Sequence, residues 1–231
     1  SDSTLLISGT TFDANSASQG GGLMAVRSAA TIDDCLFTAN LAMTPSSSEN
    51  QAGGAIEVHS CPSMSVTGCE FVDNQANDGG ALALQNPFDY PLPAFVIDGC
   101  LFDSNLVDGK GGAIYIGSNA GTVDACEFLN NDAGIIGSAI FIAEAGEGLS
   151  TSLTYSNSLF CGSGPEPVEA YDEQPILIDG GGNTIIEDVG DCVVDGSSWI
   201  GGGDTSLFSD QANWLFGAVP GAGSDVYFNL D

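Results

Sequence analysis

The strongest constraint on what this chain can fold into is a repeat. Phe-x-x-Asn occurs five times, at Phe12 and Asn15, Phe37 and Asn40, Phe71 and Asn74, Phe102 and Asn105, and Phe128 and Asn131, and a degraded sixth copy begins at Phe160. Each copy is followed by a small-residue pair and apolar residues: Gly21-Gly22-Leu23-Met24, Gly53-Gly54-Ala55-Ile56, Gly79-Gly80-Ala81-Leu82, Gly111-Gly112-Ala113-Ile114 and the variant Gly137-Ser138-Ala139-Ile140. Self-similarity of this kind marks a solenoid, in which each unit buries its apolar face against its neighbours. Successive phenylalanines are 25, 34, 31, 26 and 32 residues apart, so the longer units carry insertions on a basic unit of 25. One insertion is the Ser- and Pro-rich stretch 44–51. Another is 86–93, where Pro87 and Pro91 bar regular strand pairing.

Within a unit the alternation predicts three short strands. Cys100 and Phe102 fall on one face and Leu101 and Asp103 on the other, and the alternation resumes in Ala113-Ile114-Tyr115-Ile116 and in Thr122-Val123-Asp124. No stretch has a 3.6-residue apolar period long enough for a helix. Three strands per coil, joined by glycine and asparagine corners, describe an all-β fold: a right-handed parallel β-helix, a solenoid of six to seven coils over residues 1–197.

Stacked coils bring identical residues into contact at about 4.8 Å. Phe12, Phe37, Phe71, Phe102 and Phe128 are expected to form an internal aromatic stack. Cys35, Cys69, Cys100 and Cys126, each two residues before a phenylalanine, are expected to form a second internal ladder. Asn15, Asn40, Asn74, Asn105 and Asn131 fall at a corner, where they can bond to the next coil and tolerate the αL conformation that a sharp turn needs. The Gly-Gly pair supplies a bend where a Cβ would clash.

Composition narrows the function. The chain of 231 residues holds 31 Asp or Glu and only two basic residues, Arg27 and Lys110, for a net charge of −29. Two isolated cations cannot release the counterions of a nucleic acid or an anionic lipid surface, so neither is an expected partner. Because 43% of the residues are apolar, the chain can bury a core and is expected to fold. Its acidic surface suits a saline exterior and attracts divalent cations. Apolar runs fall well short of the roughly 20 residues that span a bilayer, so no direct membrane insertion is expected. Opening on Ser1-Asp2, the chain reads as a processed or excised piece of a longer one.

The two motifs together, Phe-x-x-Asn and Gly-Gly-Ala-Ile, resemble the repeat of the polymorphic outer membrane proteins, a group of bacterial autotransporter passengers and related secreted β-helix proteins. The resemblance covers residues 1–160 and implies an exported, surface-displayed rod associated with adhesion; the chain has no region like that family's outer-membrane barrel. Phe160-Cys161-Gly162, Asp179-Gly180-Gly181-Gly182-Asn183 and Asp191-Cys192 are similar to the closing unit of β-helix regions in secreted planctomycete-type proteins. On that resemblance Cys161 and Cys192 are expected to form a disulfide, which would contribute roughly 3 kcal/mol; the alternative is two buried thiols. Residues 198–231, with Trp199, Asn213-Trp214 and Val219-Pro220-Gly221, look like a module that opens further β-helical sections in large bacterial surface proteins.

Candidate chemistry is sparse. A polysaccharide lyase needs a base and cations to hold an anionic substrate, and Arg27 and Lys110 occupy different parts of the repeat. An inverting glycoside hydrolase needs paired carboxylates, but Asp33-Asp34 and Glu187-Asp188 are chain neighbours that point to opposite faces. His59, the one histidine, reads as a surface or turn residue, with Ser60 and Cys61 mere neighbours. One thiol per coil is linear where zinc needs a tetrahedron. Calcium is the one cofactor with support, at the oxygen-rich segments 74–78 and 179–183. The expected function is a secreted or cell-surface bacterial structural and adhesive β-helix with no catalytic residues. Its partners would be itself, by end-to-end or lateral assembly into filaments or a surface layer, or a host or glycan ligand. The alternative is an extracellular polysaccharide-binding or polysaccharide-cleaving enzyme.

Overall fold

The computed structural model describes residues 3–43, 52–86, 94–117, 119–143, 151–163, 166–171 and 175–186, together with two short strands near the C-terminus. The chain divides into two compact units, Ser1–Asp191 and Cys192–Asp231. In the second, Ser198–Trp199 pairs in parallel with Tyr227–Phe228. Of the two insertions, placed at 44–51 and 86–93, all but Asn86 lies outside the described residues.

The first unit is a parallel β-helix built from four sheets. The first sheet stacks Ser3–Ser8, Ser28–Asp33, Ser63–Thr67, Ala94–Asp98, Ala120–Asp124, Ser152–Ser156 and Ile176–Gly181 in chain order. The second stacks Thr11–Asp13, Leu36–Thr38, Glu70–Val72, Leu101–Asp103, Glu127–Leu129, Leu159–Cys161 and Thr184–Ile186. A third holds the two-residue strands Ser16–Ala17, Leu41–Ala42, Gln75–Ala76, Leu106–Val107 and Asp132–Ala133. The fourth holds Leu23–Val26, Ile56–His59, Leu82–Gln85, Ile114–Gly117, Ile140–Ile142 and Val168–Ala170. A full coil therefore carries four strands where the alternation predicted three. The extra strand follows the asparagine corner, and two residues are too few to display a period in sequence.

The core follows from the register. Phe12, Phe37, Phe71, Phe102, Phe128 and Phe160 pair in one row, with near-parallel rings whose centroids lie 4.5 to 5.1 Å apart. Ile32, Val66, Ile97 and Val123 fill a second buried row, contributed by the first sheet. Ile56, Leu82, Ile114 and Ile140 fill a third, from the fourth sheet. Where Phe95 needs room, the next coil supplies Gly121, whose missing Cβ would lie 2.6 Å from the ring.

Two details of the sequence reading are corrected. The asparagines do not themselves adopt αL. The residue before each does: Ala14, Ala39, Asp73, Ser104 and Asn130 have φ between 52° and 56°. An αL residue there turns the chain, and the asparagine that follows can aim its amide along the helix axis. The first glycine tetrad is also shifted by one. Leu23 pairs with Ile56, so Gly20-Gly21-Gly22-Leu23 matches Gly53-Gly54-Ala55-Ile56. Three consecutive glycines hide the register, and the apolar position that Leu23 must fill decides it. The pair itself is required by close stacking: a Cβ on Gly54 would lie 2.0 Å from the Gly80 carbonyl oxygen, and one on Gly80 2.2 Å from that of Gly112.

Candidate functional site

The asparagines form a buried, directional ladder. Asn40 donates both its backbone N–H (3.0 Å) and its Nδ2 (2.9 Å) to Asn74 Oδ1. The same Nδ2 donates back to Phe12 O at 2.9 Å. Asn15, Asn74 and Asn105 donate in the same way to Asn40, Asn105 and Asn131. Asn74, Asn105 and Asn131 also bond the carbonyls of Phe37, Phe71 and Phe102. Each interior amide is thus fully used for stacking.

The cysteines make an analogous ladder at the corner between the first and second sheets. Cys35 N–H donates to Cys69 Sγ at 3.4 Å. The thiols of Cys35, Cys69, Cys100 and Cys126 donate to the carbonyls of Asp33, Thr67, Asp98 and Asp124. Ser158 continues the series: its Oγ accepts from Cys126 N at 3.1 Å and donates to Ser156 O at 2.8 Å. All four thiols are free and buried. Hydrogen bonding to the neighbouring thiol, together with burial, pushes Cys69 and Cys100 far up, and burial raises Cys35. These are poor nucleophiles. Cys61 is free and buried at another corner, donating to Ala25 O at 3.4 Å. Cys161 is disulfide-bonded, and its expected partner Cys192 lies outside the described residues.

Polar side chains on the outward faces gather at two places that sequence order conceals. On the fourth sheet, Met24, Glu57, Ala83, Tyr115, Phe141 and Glu169 form one outward row. His59, expected as a surface or turn residue, ends the strand Ile56–His59 with its side chain 21% exposed and makes a short contact from Nε2 to Glu57 Oε1, which also accepts from Gln19 Nε2 at 3.1 Å. Glu57 is fully buried, and its Oε2 has no hydrogen-bond partner among the described residues. Further along, Lys110 Nζ lies 4.9 Å from the Phe141 ring centroid and 5.3 Å from that of Tyr171. The Lys110 N–H donates to Asp78 Oδ1 at 2.7 Å. Arg27 is exposed at a corner with φ 52°. The two cations stay apart.

On the second sheet, Glu127 sits diagonally across the coil boundary from Asp103. Burial, and then the Asp103 charge, push its carboxyl from 4.5 up to about 7. One carboxyl raised beside another is the asymmetry that acid–base hydrolysis uses, yet Glu127 is only 6% exposed. The sequence reading weighed carboxylates adjacent in the chain and missed this pair. The available signal was an offset of one period less two, since Phe102 and Phe128 are 26 apart and Asp103 and Glu127 are 24 apart. Of the pairs weighed, Asp34 is a corner residue with φ 50°, while Glu187 and Asp188 lie outside the described residues.

Oxygen atoms in the two calcium-candidate segments are engaged by protein donors. Asn74 is locked in the ladder, and Asp78 Oδ1 accepts from Lys110. Asp179 Oδ1 accepts from Gly181 N at 2.8 Å and Asn183 Nδ2 at 2.7 Å. Asn183 Oδ1 accepts from Ser158 N at 3.0 Å. Among the described residues no three His, Cys, Asp or Glu side chains group so as to hold a metal, and no helix is long and apolar enough to cross a membrane.

Comparison with known proteins agrees with the coil geometry. The family model described as "Right handed beta helix region" matches residues 1–198. The chain is 28% identical over 183 residues to "Metabotropic glutamate receptor-like protein R" of Dictyostelium discoideum, over 77% of this chain and 10% of that protein. The chain thus spans about a tenth of the length of the curated relative it matches. No solved structure matches it.

Proposed function

The chain belongs to the right-handed β-helix family, and from that premise we propose that it is a non-catalytic, extracellular or cell-surface scaffold whose coils act as a stiff structural and adhesive element. The observation that carries this reading is where the polar chemistry points. Asn40, Asn74 and Asn105 and the four ladder thiols are turned into inter-coil bonds, leaving no free nucleophile among them. What faces out from the first sheet is a row of small residues: Thr31, Ser65, Val96, Thr122 and Thr154. Such a face suits contact with a neighbouring surface and lacks the cations that would grip an anionic polymer.

The resemblance to polymorphic outer membrane proteins supports surface display and adhesion, and the word "receptor-like" in the relative's name fits an outward-facing role. Residues 198–231 are then a separate β module. No resident cofactor is required; calcium acts as a diffuse counter-ion to the net charge of −29. A polysaccharide ligand is the natural adhesive target.

A second reading is favoured by one feature, the Asp103 and Glu127 pair, which would suit a glycan-cleaving enzyme if the buried Glu127 were uncovered. One experiment separates the two. The purified chain is applied to a glycan array and incubated with the polysaccharides it retains, with reducing ends measured over time. Retention without release supports the scaffold. Release that is lost in Glu127→Gln overturns it in favour of the enzyme.

A further inference from the structure

We propose that Glu57, His59 and Gln19 form a binding site for a divalent transition ion of the zinc class, which staples one coil of the helix to the next.

The site starts from a carboxylate in apolar company. Glu57 belongs to the outward row Met24, Glu57, Ala83, Tyr115 and Phe141 of the fourth sheet. Ala83, Tyr115 and Phe141 make a buried apolar cluster there, and Glu57 is itself fully buried. An ionised carboxylate in such a place is strongly penalised unless donors or cations meet both of its oxygens. Only one is met. Oε1 takes His59 Nε2 and Gln19 Nε2, while Oε2 has no partner among the described residues. The two permanent cations are engaged elsewhere: Arg27 is exposed at a corner, and Lys110 lies over the Phe141 and Tyr171 rings. Among the described residues, His59 is the basic side chain that pairs with Glu57.

The groups around the free oxygen are metal ligands. Glu57 and His59 stand two apart on the strand Ile56–His59, so their side chains leave the same face. Gln19 arrives from the preceding coil, between Ser16–Ala17 and Leu23–Val26, 38 residues from Glu57 in sequence. Its amide, turned end for end, presents an oxygen in place of Nδ-type donors. An imidazole nitrogen, a carboxylate and an amide oxygen fill three positions of a tetrahedron and leave the fourth to water. The imidazole selects against calcium and magnesium, which take oxygen ligands. An ion here would meet Oε2, replace the direct contact between imidazole and carboxylate, and pin Gln19 onto the following coil.

Access is from the His59 side. The His59 side chain is 21% exposed, and Val26, its neighbour in register, is 48% exposed. The net charge of −29 concentrates divalent cations around the chain. The free thiols that would compete for zinc, Cys35, Cys61, Cys69, Cys100 and Cys126, are buried.

Because His59 is the one histidine of the chain, its imidazole proton resonances report on this site alone. The test follows them by NMR as zinc chloride is added to the metal-stripped full chain, with calcium chloride as the control. Zinc is expected to move the His59 resonances and to saturate at a single equivalent, and calcium to leave them in place. Glu57→Gln keeps the shape and removes the charge, and is expected to weaken zinc binding by at least about tenfold, with a smaller loss in Gln19→Ala. Zinc is also expected to slow amide exchange in Leu23–Val26 in the wild type and not in His59→Ala. His59 resonances that ignore zinc would overturn the proposal, and exchange unchanged by zinc would overturn the staple. Equal affinity in the wild type and Glu57→Gln would mean an adventitious ion only, held by an exposed imidazole. If circular dichroism shows that Glu57→Gln has lost the β fold, Gln19→Ala carries the comparison, and equal affinity there overturns the proposal in the same way.

Discussion

Asn105 Oδ1 accepts two hydrogen bonds from Asn74, one from its backbone N–H at 3.1 Å and one from its Nδ2 at 3.0 Å. Asn105→Ala would strand both of those buried donors and the Phe71 carbonyl that Asn105 Nδ2 satisfies. At about 1–3 kcal/mol for a buried group left unpaired, the loss is expected to reach several kcal/mol. Asn15→Ala, at the exposed end of the ladder, is expected to cost under about 1 kcal/mol. Urea denaturation of the two variants checks the contrast, and equal losses would refute an interior ladder.

Glycine substitutions should split by place. In Gly80→Ala the added Cβ would lie 2.2 Å from the Gly112 carbonyl oxygen, forcing two coils apart at a cost of about 3 kcal/mol or more. Gly99 has φ 59° and nothing within 4 Å of the Cβ position, and Ala125 stands at the matching corner with φ 48°. Gly99→Ala is therefore expected to cost no more than about 1–2 kcal/mol, the αL penalty of a non-glycine residue. Thermal unfolding of both proteins reads this directly.

Stability should depend on Glu127 in a defined pH window. Its carboxyl rises from 4.5 to about 7 on folding, so between those values the folded chain holds a proton that the unfolded chain has released. Stability from this group is full below 4.5 and is lost as pH rises through 7. The loss is on the order of 2–3 kcal/mol. Glu127→Gln should flatten that part of the profile and be more stable than the wild type at pH 8. Unfolding midpoints compared across the window test it, and parallel profiles would contradict the assignment.

Thiol counting probes both the ladder and the expected bridge. Folded protein should be nearly inert to a thiol reagent, because Cys35, Cys61, Cys69, Cys100 and Cys126 are all buried and free. Denatured without reductant it should show five reactive thiols, and after reduction all seven cysteines. Seven without reductant would mean no disulfide at Cys161.

What could be read from the chain alone was whatever recurs at the period. Because coils stack in register, Phe12, Phe37, Phe71, Phe102 and Phe128 had to meet one another, and so did the asparagines and the ladder cysteines. The parallel fold and its inner columns follow from that recurrence and from strand alternation. The shift of the first glycine tetrad and the fourth strand were not legible, since consecutive glycines and a two-residue strand carry no periodic signal.

The outward chemistry was settled only by the tertiary structure. Glu57 reaches Gln19 across 38 residues, Glu127 meets Asp103 across 24, and Lys110 bonds Asp78 across 32. Insertions of different length change the separation from coil to coil, so no fixed offset marks such pairs, and burial by neighbouring coils sets the Glu127 proton. A repeat determines which side chains must stack, because stacking is periodic. Which unlike side chains face one another across a coil boundary depends on where each coil closes.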